Sequence, residues 1–270
     1  MHVGSTMESN ANINYHVEDR IATITMNRAQ KLNAIDDDMV RGLMAAMDRF
    51  DMDDDAHTAI LCGNGRAFCS GADVRARQLR SQEELRQKGG PSAKDAKSGD
   101  IFLRAVNWKP VIAAVHGYVL GLGIGLALDA ELVVAEAGTQ FQITETPRGL
   151  SGSGKYMNLM AYRGMAGFAT EVTLTGRFFT GEEALAAGVI DRVAPAGKHI
   201  EVARELATAI NKNPPLAVRA SVMQRRWQIE DNRREAVRYQ GLNKLYLSED
   251  FAEATRAFVE KRAAKPFKAR

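Results

Sequence analysis

The sequence predicts an α/β fold with a helical C-terminal region, and three observations carry that prediction. The apolar run 111–115 passes through Gly117, Gly121, Gly123 and Gly125 into the apolar stretch 126–128 and then into a second apolar run, 132–135. Strand, glycine loop, helix, strand is an α/β unit. Near the N-terminus Ile21, Thr23 and Thr25 alternate with Ala22, Ile24 and Met26, the period of a strand. From Ile200 onward the pattern is helical and is broken only by Asn213-Pro214-Pro215.

Taken in order, MHVGSTM at 1–7 reads as an expression tag with Met7 as the natural start, so 1–14 is expected to be disordered or tag-derived. Glu18-Asp19-Arg20 separates two short strands and predicts a β-hairpin from Tyr15. Met39, Leu43, Met44 and Met47 recur at helical spacing behind an Asp-rich start, which predicts a helix over 36–50. A strand follows at 59–62, then a turn at 63–65 and a small-residue loop at 68–73. Residues 75–100, with Gly89-Gly90-Pro91 inside them, are polar and read as an irregular excursion, a candidate lid. Thr180 and Glu183 form a capping-box pair, and Gly188 stops that helix before a strand at 189–193. The expected organisation is a core over 15–195 and a C-terminal helical oligomerisation region over 196–270.

Composition sets the outer limits. The chain has 270 residues, 45% of them hydrophobic and 26% charged, too apolar for disorder and of a size for one domain with an appended piece. No apolar run reaches the roughly 20 residues of a membrane span, and no signal or transit segment is recognisable, so a cytoplasmic protein without membrane attachment is expected. Cys62 and Cys69, with His57 nearby, match no zinc spacing. Both read as buried thiols, and no metal is expected. A net charge of +3 permits anionic ligands without demanding nucleic acid. Arg225, Arg226, Arg233, Arg234 and Arg238 read as a solvated or intersubunit helix face, with a phosphate or RNA seat as the alternative. Gly121, Gly123 and Gly125 imitate a dinucleotide fingerprint, but Leu126 occupies the place of its third glycine. His116 reads as a structural histidine, since its neighbourhood contains no partner that defines a mechanism.

Five segments in fixed order point further: NRAQKLNAID at 27–36, GNGRAFCSGADV at 63–74, KPVIAAVHGYVLGLGIGLAL at 109–128, FQITETPRGL at 141–150 and LTGRFFTGEEALAAGVIDRV at 174–193. Over roughly residues 15–265 the chain resembles the enoyl-CoA hydratase/isomerase, or crotonase, superfamily. The resemblance implies a crotonase-like spiral of ββα units with a C-terminal helical subdomain, assembled as a homotrimer or as a homohexamer made from two trimers. It implies no prosthetic group; the substrate is carried as a coenzyme A thioester. CoA would lie along the backbone of Gln30, Lys31 and Leu32 and of Ser70 to Asp73, with Arg75 near its phosphates. The main-chain N–H groups of Ala72 and Leu122 would form the oxyanion hole for the enolate oxygen, a role that needs only preorganised amides.

Family hydratases use two glutamates. The first position falls on Gly125, which has no side chain, and the second on Glu145. One carboxylate suffices to move a proton from C2 to C4 of a 3-enoyl-CoA, so the resemblance favours an enoyl-CoA isomerase with Glu145 as acid and base. Asp129, four residues beyond Gly125 and about 6 Å further along the helix axis, is the nearest second acid for a hydratase, a lyase reaction; its alternative role is a polar contact. Glu131 reads as a structural cap. A third reading is a non-catalytic CoA- or RNA-binding homologue. Ser151 and Ser153 replace bulkier or proline-containing family residues in a loop one residue shorter, which alters the expected acyl pocket.

Overall fold

Strands β1 (Ile13–Glu18) and β2 (Ile21–Met26) pair antiparallel through Asp19 and Arg20, both at positive φ (52° and 61°). Two consecutive left-handed residues are what a type I′ hairpin turn requires, and here they form it without glycine. The structure is a computed structural model that describes residues 11–88, 90–91, 101–102, 105–152, 156–240 and 244–270, without the side chains of 233 and 235–240. β1 begins two residues before the expected boundary at Tyr15, because Ile13 is buried opposite Met26. Residues 1–10 of the expected tag-derived segment lie outside the described residues.

The chain continues into α1 (Asp37–Met52), whose N-cap Asp36 accepts a hydrogen bond from Met39 N–H at 2.8 Å, and β3 (Thr58–Gly63). The stretch expected to be irregular contains two short helices, α2 (Val74–Arg77) and α3 (Gln82–Lys88). Asp73 caps the first. At the second, the Ser81 hydroxyl accepts from Glu84 N–H (3.2 Å) and the Glu84 carboxylate accepts from Ser81 N–H (3.1 Å). That reciprocal capping box stands in the sequence as S-x-x-E, and Leu85 buries the helix's apolar side. Gly89 and residues 92–100 lie outside the described residues.

Then come β4 (Val111–Val115), β5 (Tyr118–Leu120), α4 (Leu122–Asp129), β6 (Leu132–Glu136), β7 (Gln140–Gln142), α5 (Asn158–Arg163), α6 (Ala166–Thr175), β8 (Phe178–Thr180) and α7 (Gly181–Ala186). The Thr180–Glu183 capping box forms at α7. The strand expected over 189–193 is shorter, β9 (Arg192–Ala194), because the N–H groups of Val189 and Ile190 turn back to Ala184 O. The chain ends with α8 (His199–Asn211), α9 (Pro215–Gln240) and α10 (Glu249–Glu260).

Six strands form the main sheet in the order β1-β2-β3-β4-β6-β9, parallel except for the hairpin; β5, β7 and β8 form a second, three-stranded sheet. The unbroken apolar sequences of β3 and β4 follow from burial on both faces. Leu61, Ala113 and Val115 enter the large core beneath α1 and α4, while Ile60, Ile112 and Ala114 enter a second core with Ala203 and Ala207 of α8. Helix α8, expected in the C-terminal extension, thus covers one face of the main sheet. Among the described residues no helix is long and apolar enough to cross a membrane.

Helix α9 is tied to the sheet through Glu131. Its carboxylate accepts from Val111 N–H (2.8 Å), from Arg226 (2.8 and 2.9 Å) and from Arg225 (3.2 Å). Both arginines, expected on a solvated face, are committed to this interior contact. Arg234 pairs with Glu230, and the side chains of Arg233 and Arg238 lie outside the described residues. Glu131→Gln leaves the buried Arg226 and the half-buried Arg225 guanidinium groups short of an anion. It is expected to cost about 2 kcal/mol and to lower the melting temperature by about 5 °C in thermal circular dichroism.

Candidate active site

Two loops meet at the carboxyl ends of β2 and β3, and the buried side chain of Asn33 joins them. It accepts from Arg28 N–H and donates to the carbonyls of Asn64 and Ala67, all at 2.9 Å. A 3-10 turn over Ala29–Lys31 ends at Leu32 in the left-handed region, and Ser70 N–H donates to Leu32 O at 2.9 Å. Gln30, Lys31 and Leu32 are therefore adjacent to Ser70, as the sequence reading requires. The Asp73 side chain does structural work: it accepts from Ala76 N–H at the start of α2 and pairs with Arg28 at 3.0 Å. Burial pushes its carboxyl up, but the Ala76 N–H and the Arg28 guanidinium outweigh that and hold it below the usual carboxylate range. Arg75 is exposed on α2.

The Ala72 amide is spared by the geometry of a single β-bridge. Ile35 and Ala72 form a parallel bridge made by Ile35 N–H to Gly71 O and Asp73 N–H to Ile35 O, both 2.8 Å. A parallel bridge uses the neighbours' groups on one strand. Ala72 N–H therefore has no backbone acceptor among the described residues. Across from it, Gly121 at φ +47° is the N-cap of α4, and Leu122 is the first helical residue. The first N–H groups of a helix have no intrahelical acceptor. A Cβ at Gly71 would lie 3.7 Å from Leu122 N and 2.9 Å from Leu120 O, so the two loops touch at glycine. Gly123 allows equally close approach to Cys69. Burial pushes the Cys69 thiol up to about 12, which keeps it protonated at neutral pH.

Glu145 lies against the same corner. It precedes a 3-10 turn (Thr146–Arg148), and its carbonyl accepts from Arg148 and Leu150 N–H, both at 2.9 Å. Its carboxylate turns inward: a Cβ at Gly121 would lie 3.1 and 3.5 Å from its two oxygens. Glu145 is half-buried as a residue, but its Oε2 is shielded from solvent and has no hydrogen-bond partner among the described residues. Burial pushes the carboxyl up to about 7, against the opposing pull of backbone N–H groups, the Tyr156 hydroxyl and the Arg148 guanidinium. Arg148 stacks 3.4 Å over the ring of Phe258, and a Cβ at Gly149 would meet Phe251 Cα at 2.9 Å, so α10 seats the turn that follows Glu145.

Asp129 is the last residue of α4 and is 6% exposed; Gly125, one turn earlier, is buried. Tyr156, which the sequence reading did not single out, feels the charges of both Glu145 and Asp129. The sequence offered one signal for it, a lone aromatic with a polar tip in the otherwise small-residue run SGSGKYM. Ser151 is exposed, and Ser153 lies outside the described residues. His116 is elsewhere: its Nε2 contacts Gly65 O at 2.9 Å and its ring packs 4.9 Å from that of His199, which Glu136 contacts at 2.9 Å. Among the described residues no group of three or more His, Cys, Asp or Glu side chains could hold a metal ion.

Residues 16–270 match the family described as Enoyl-CoA hydratase/isomerase. The chain belongs to that family. Enoyl-CoA hydratase EchA19 of Mycobacterium tuberculosis is 35% identical over 244 residues, 89% of this chain and 90% of that protein. The mevalonyl-coenzyme A hydratase sidH of Aspergillus fumigatus is 31% identical over 90% of this chain and 89% of its own length. The structure of EchA1_1 from Mycobacterium paratuberculosis superposes with a TM-score of 0.80 at 30% identity, covering 96% of this chain and 99% of that one. The expected crotonase fold is thereby established, and enoyl-CoA hydratase/isomerase enzymes act on CoA thioesters. The glycine loop at 121–125 belongs to this fold and not to a dinucleotide-binding unit.

Proposed function

We propose that the chain is a one-carboxylate enoyl-CoA isomerase. The observation that carries this reading is the enclosed Glu145 carboxylate, with Oε2 unpartnered among the described residues and an affinity for protons centred near neutrality. Gly125 stands where a second glutamate would. A single group that must take a proton and then return it works best when its pKa is near the operating pH. Glu145 removes a proton from C2 of a 3-enoyl-CoA; the electron pair flows onto the thioester oxygen, where the Ala72 and Leu122 amides receive it. The resulting dienolate takes the same proton at C4, giving the 2-enoyl-CoA, and Glu145 is a carboxylate again.

The test is product analysis from a 3-enoyl-CoA series in D2O. The expected product is the 2-enoyl-CoA with no 3-hydroxyacyl-CoA; efficient hydration of 2-enoyl-CoA would overturn the reading. One observation favours a second reading. Asp129 is buried within electrostatic reach of Tyr156, which also faces Glu145, and relatives are named hydratases. In that case Asp129→Asn abolishes hydration, whereas under the first reading it changes isomerisation by about threefold or less.

CoA is proposed to run along Gln30–Leu32 and Ser70–Asp73, with Arg75 at its phosphates. Arg75→Ala is expected to raise KM for acyl-CoA by about fivefold with kcat unchanged, an effect that fades at high salt. Assembly as a trimer or as two stacked trimers is supported by the apolar residues Met165, Leu174 and Phe178, which the isolated chain leaves 61%, 68% and 47% exposed. The binder-only reading is disfavoured because Arg225 and Arg226, the basis of its nucleic-acid form, are paired with Glu131.

A further inference from the structure

We infer that Cys69 is a positioning residue for the oxyanion hole: its sulfur accepts the Gly71 N–H at 3.4 Å while its side chain is wedged against Gly123, so one buried side chain holds both amide-bearing loops. The inference rests on the Ala72 and Leu122 amides receiving the thioester oxygen, as proposed above. It holds for isomerase and hydratase alike, since both reactions load that oxygen with charge.

Backbone carbonyls hold the first loop on either side of the sulfur contact. Cys69 N–H donates to Tyr118 O (3.1 Å), Ser70 N–H to Leu32 O (2.9 Å) and Asp73 N–H to Ile35 O (2.8 Å). Gly71, buried and at φ +94°, turns its N–H to the side chain two residues back. This is the sulfur counterpart of the hydroxyl turns made by serine and threonine. Without that acceptor the N–H would be an unmet buried donor. The peptide would rotate to find a partner and carry the next amide, that of Ala72, out of place.

On its other side Cys69 reaches α4. Leu120 N–H donates to Cys69 O at 2.9 Å, and an added Cβ at Gly123 would lie 2.7 Å from that carbonyl, 2.9 Å from Cys69 Cβ and 3.2 Å from the sulfur. Gly123 follows Leu122 in the first turn of the helix, so the bulk of the Cys69 side chain sets how near the two amides come. The residue is 0% exposed, and burial keeps its thiol protonated. A neutral sulfur is only a weak acceptor, but it places no negative charge beside an oxygen that is about to gain one.

The test compares Cys69→Ala and Cys69→Ser with the wild type by steady-state turnover, melting curves and 13C NMR of a bound ligand. The ligand is the saturated analogue of the enoyl-CoA that the wild type turns over best, labelled at its thioester carbonyl. Hydrogen bonds to the oxygen polarise that carbonyl and move its resonance downfield of the free ligand. Cys69→Ala is expected to lower kcat by about tenfold with KM within about twofold, and to return the bound resonance part of the way to its free position. Cys69→Ser keeps an acceptor for Gly71 N–H and should stay within about threefold of the wild-type kcat, with the resonance restored. A cysteine that merely filled space would alter the melting temperature and leave the resonance where it was. Wild-type kcat in Cys69→Ala, an unmoved resonance, or a serine variant no better than alanine overturns the inference. Should Cys69→Ala fail to fold, Cys69→Val, which fills the space without an acceptor, carries the same expectations. If the wild-type complex itself showed no downfield displacement, the amide-pair reading would fall instead, so the two failures are told apart before any substitution is made.

Discussion

Glu145→Gln is expected to lower kcat for 3-enoyl-CoA by about 10³-fold while KM changes little, the signature of losing an acid–base group that acts in the transition state. The same variant should be more stable above neutral pH. In the native protein burial raises the Glu145 carboxyl from 4.5 to about 7. Between those values the folded state keeps a proton that the unfolded chain releases, so stability falls as pH climbs through the window and levels off above it. Glutamine cannot ionise and escapes that loss. At pH 8 the variant should gain about 2 kcal/mol, or about 5 °C in melting temperature, and at pH 4 it should match the wild type. A variant that is inactive yet no more stable at pH 8 would place the Glu145 carboxylate in water.

Gly121→Ala should be nearly as damaging, by a different route. The backbone there has φ +47°, and an added Cβ would sit 2.4 Å from Thr144 Oγ1 and 3.1 Å from a Glu145 carboxylate oxygen. Gly121 N–H is also fixed to Gln142 O at 2.9 Å, so the loop cannot simply slide away. The left-handed backbone and the overpacking together are expected to cost about 3 kcal/mol. Tilting the Leu122 amide and displacing Glu145 should lower kcat by about 10²- to 10³-fold. Gly138→Ala is the matched control: its φ is +82°, but nothing lies within 4 Å of the added atom. It should show a smaller stability loss, due to the backbone alone, and near-normal turnover. Equal activity losses in the two variants would mean that the crowding at Gly121 has no bearing on the chemistry.

What the sequence discloses depends on whether a feature is local. The β4 strand, the glycine loop, the helix behind the Asp-rich start at 36–38 and the Thr180–Glu183 box are each written within a few neighbouring residues, and each forms as expected. The Asp19–Arg20 turn is local too, yet it lacks the glycine that usually announces its geometry. Features that depend on distant surfaces are hidden. The periodicity of α8 predicts a helix but not that its alanines complete the second core of the main sheet. The interior roles of Arg225 and Arg226 require Glu131, about ninety residues earlier, to be brought beneath α9. At the candidate site, the proximity of the Ala72 and Leu122 loops was inferred from resemblance alone, because the long-range bridge of Cys69 to Val119 and the close approach at Gly71 create it. Tyr156 was missed for the same reason: eleven residues separate it from Glu145, and the turn at Gly152 brings them together.

The docking of α10 beneath the turn after Glu145 has a temporal consequence. Phe251 and Phe258 follow the turn they contact by about a hundred residues, yet they support the segment that aims the proposed base. A nascent chain that has already assembled both sheets and the amide pair would still lack its brace. On the proposed mechanism, catalytic competence therefore waits for α10 to dock, and a chain clipped ahead of that helix is expected to lose turnover.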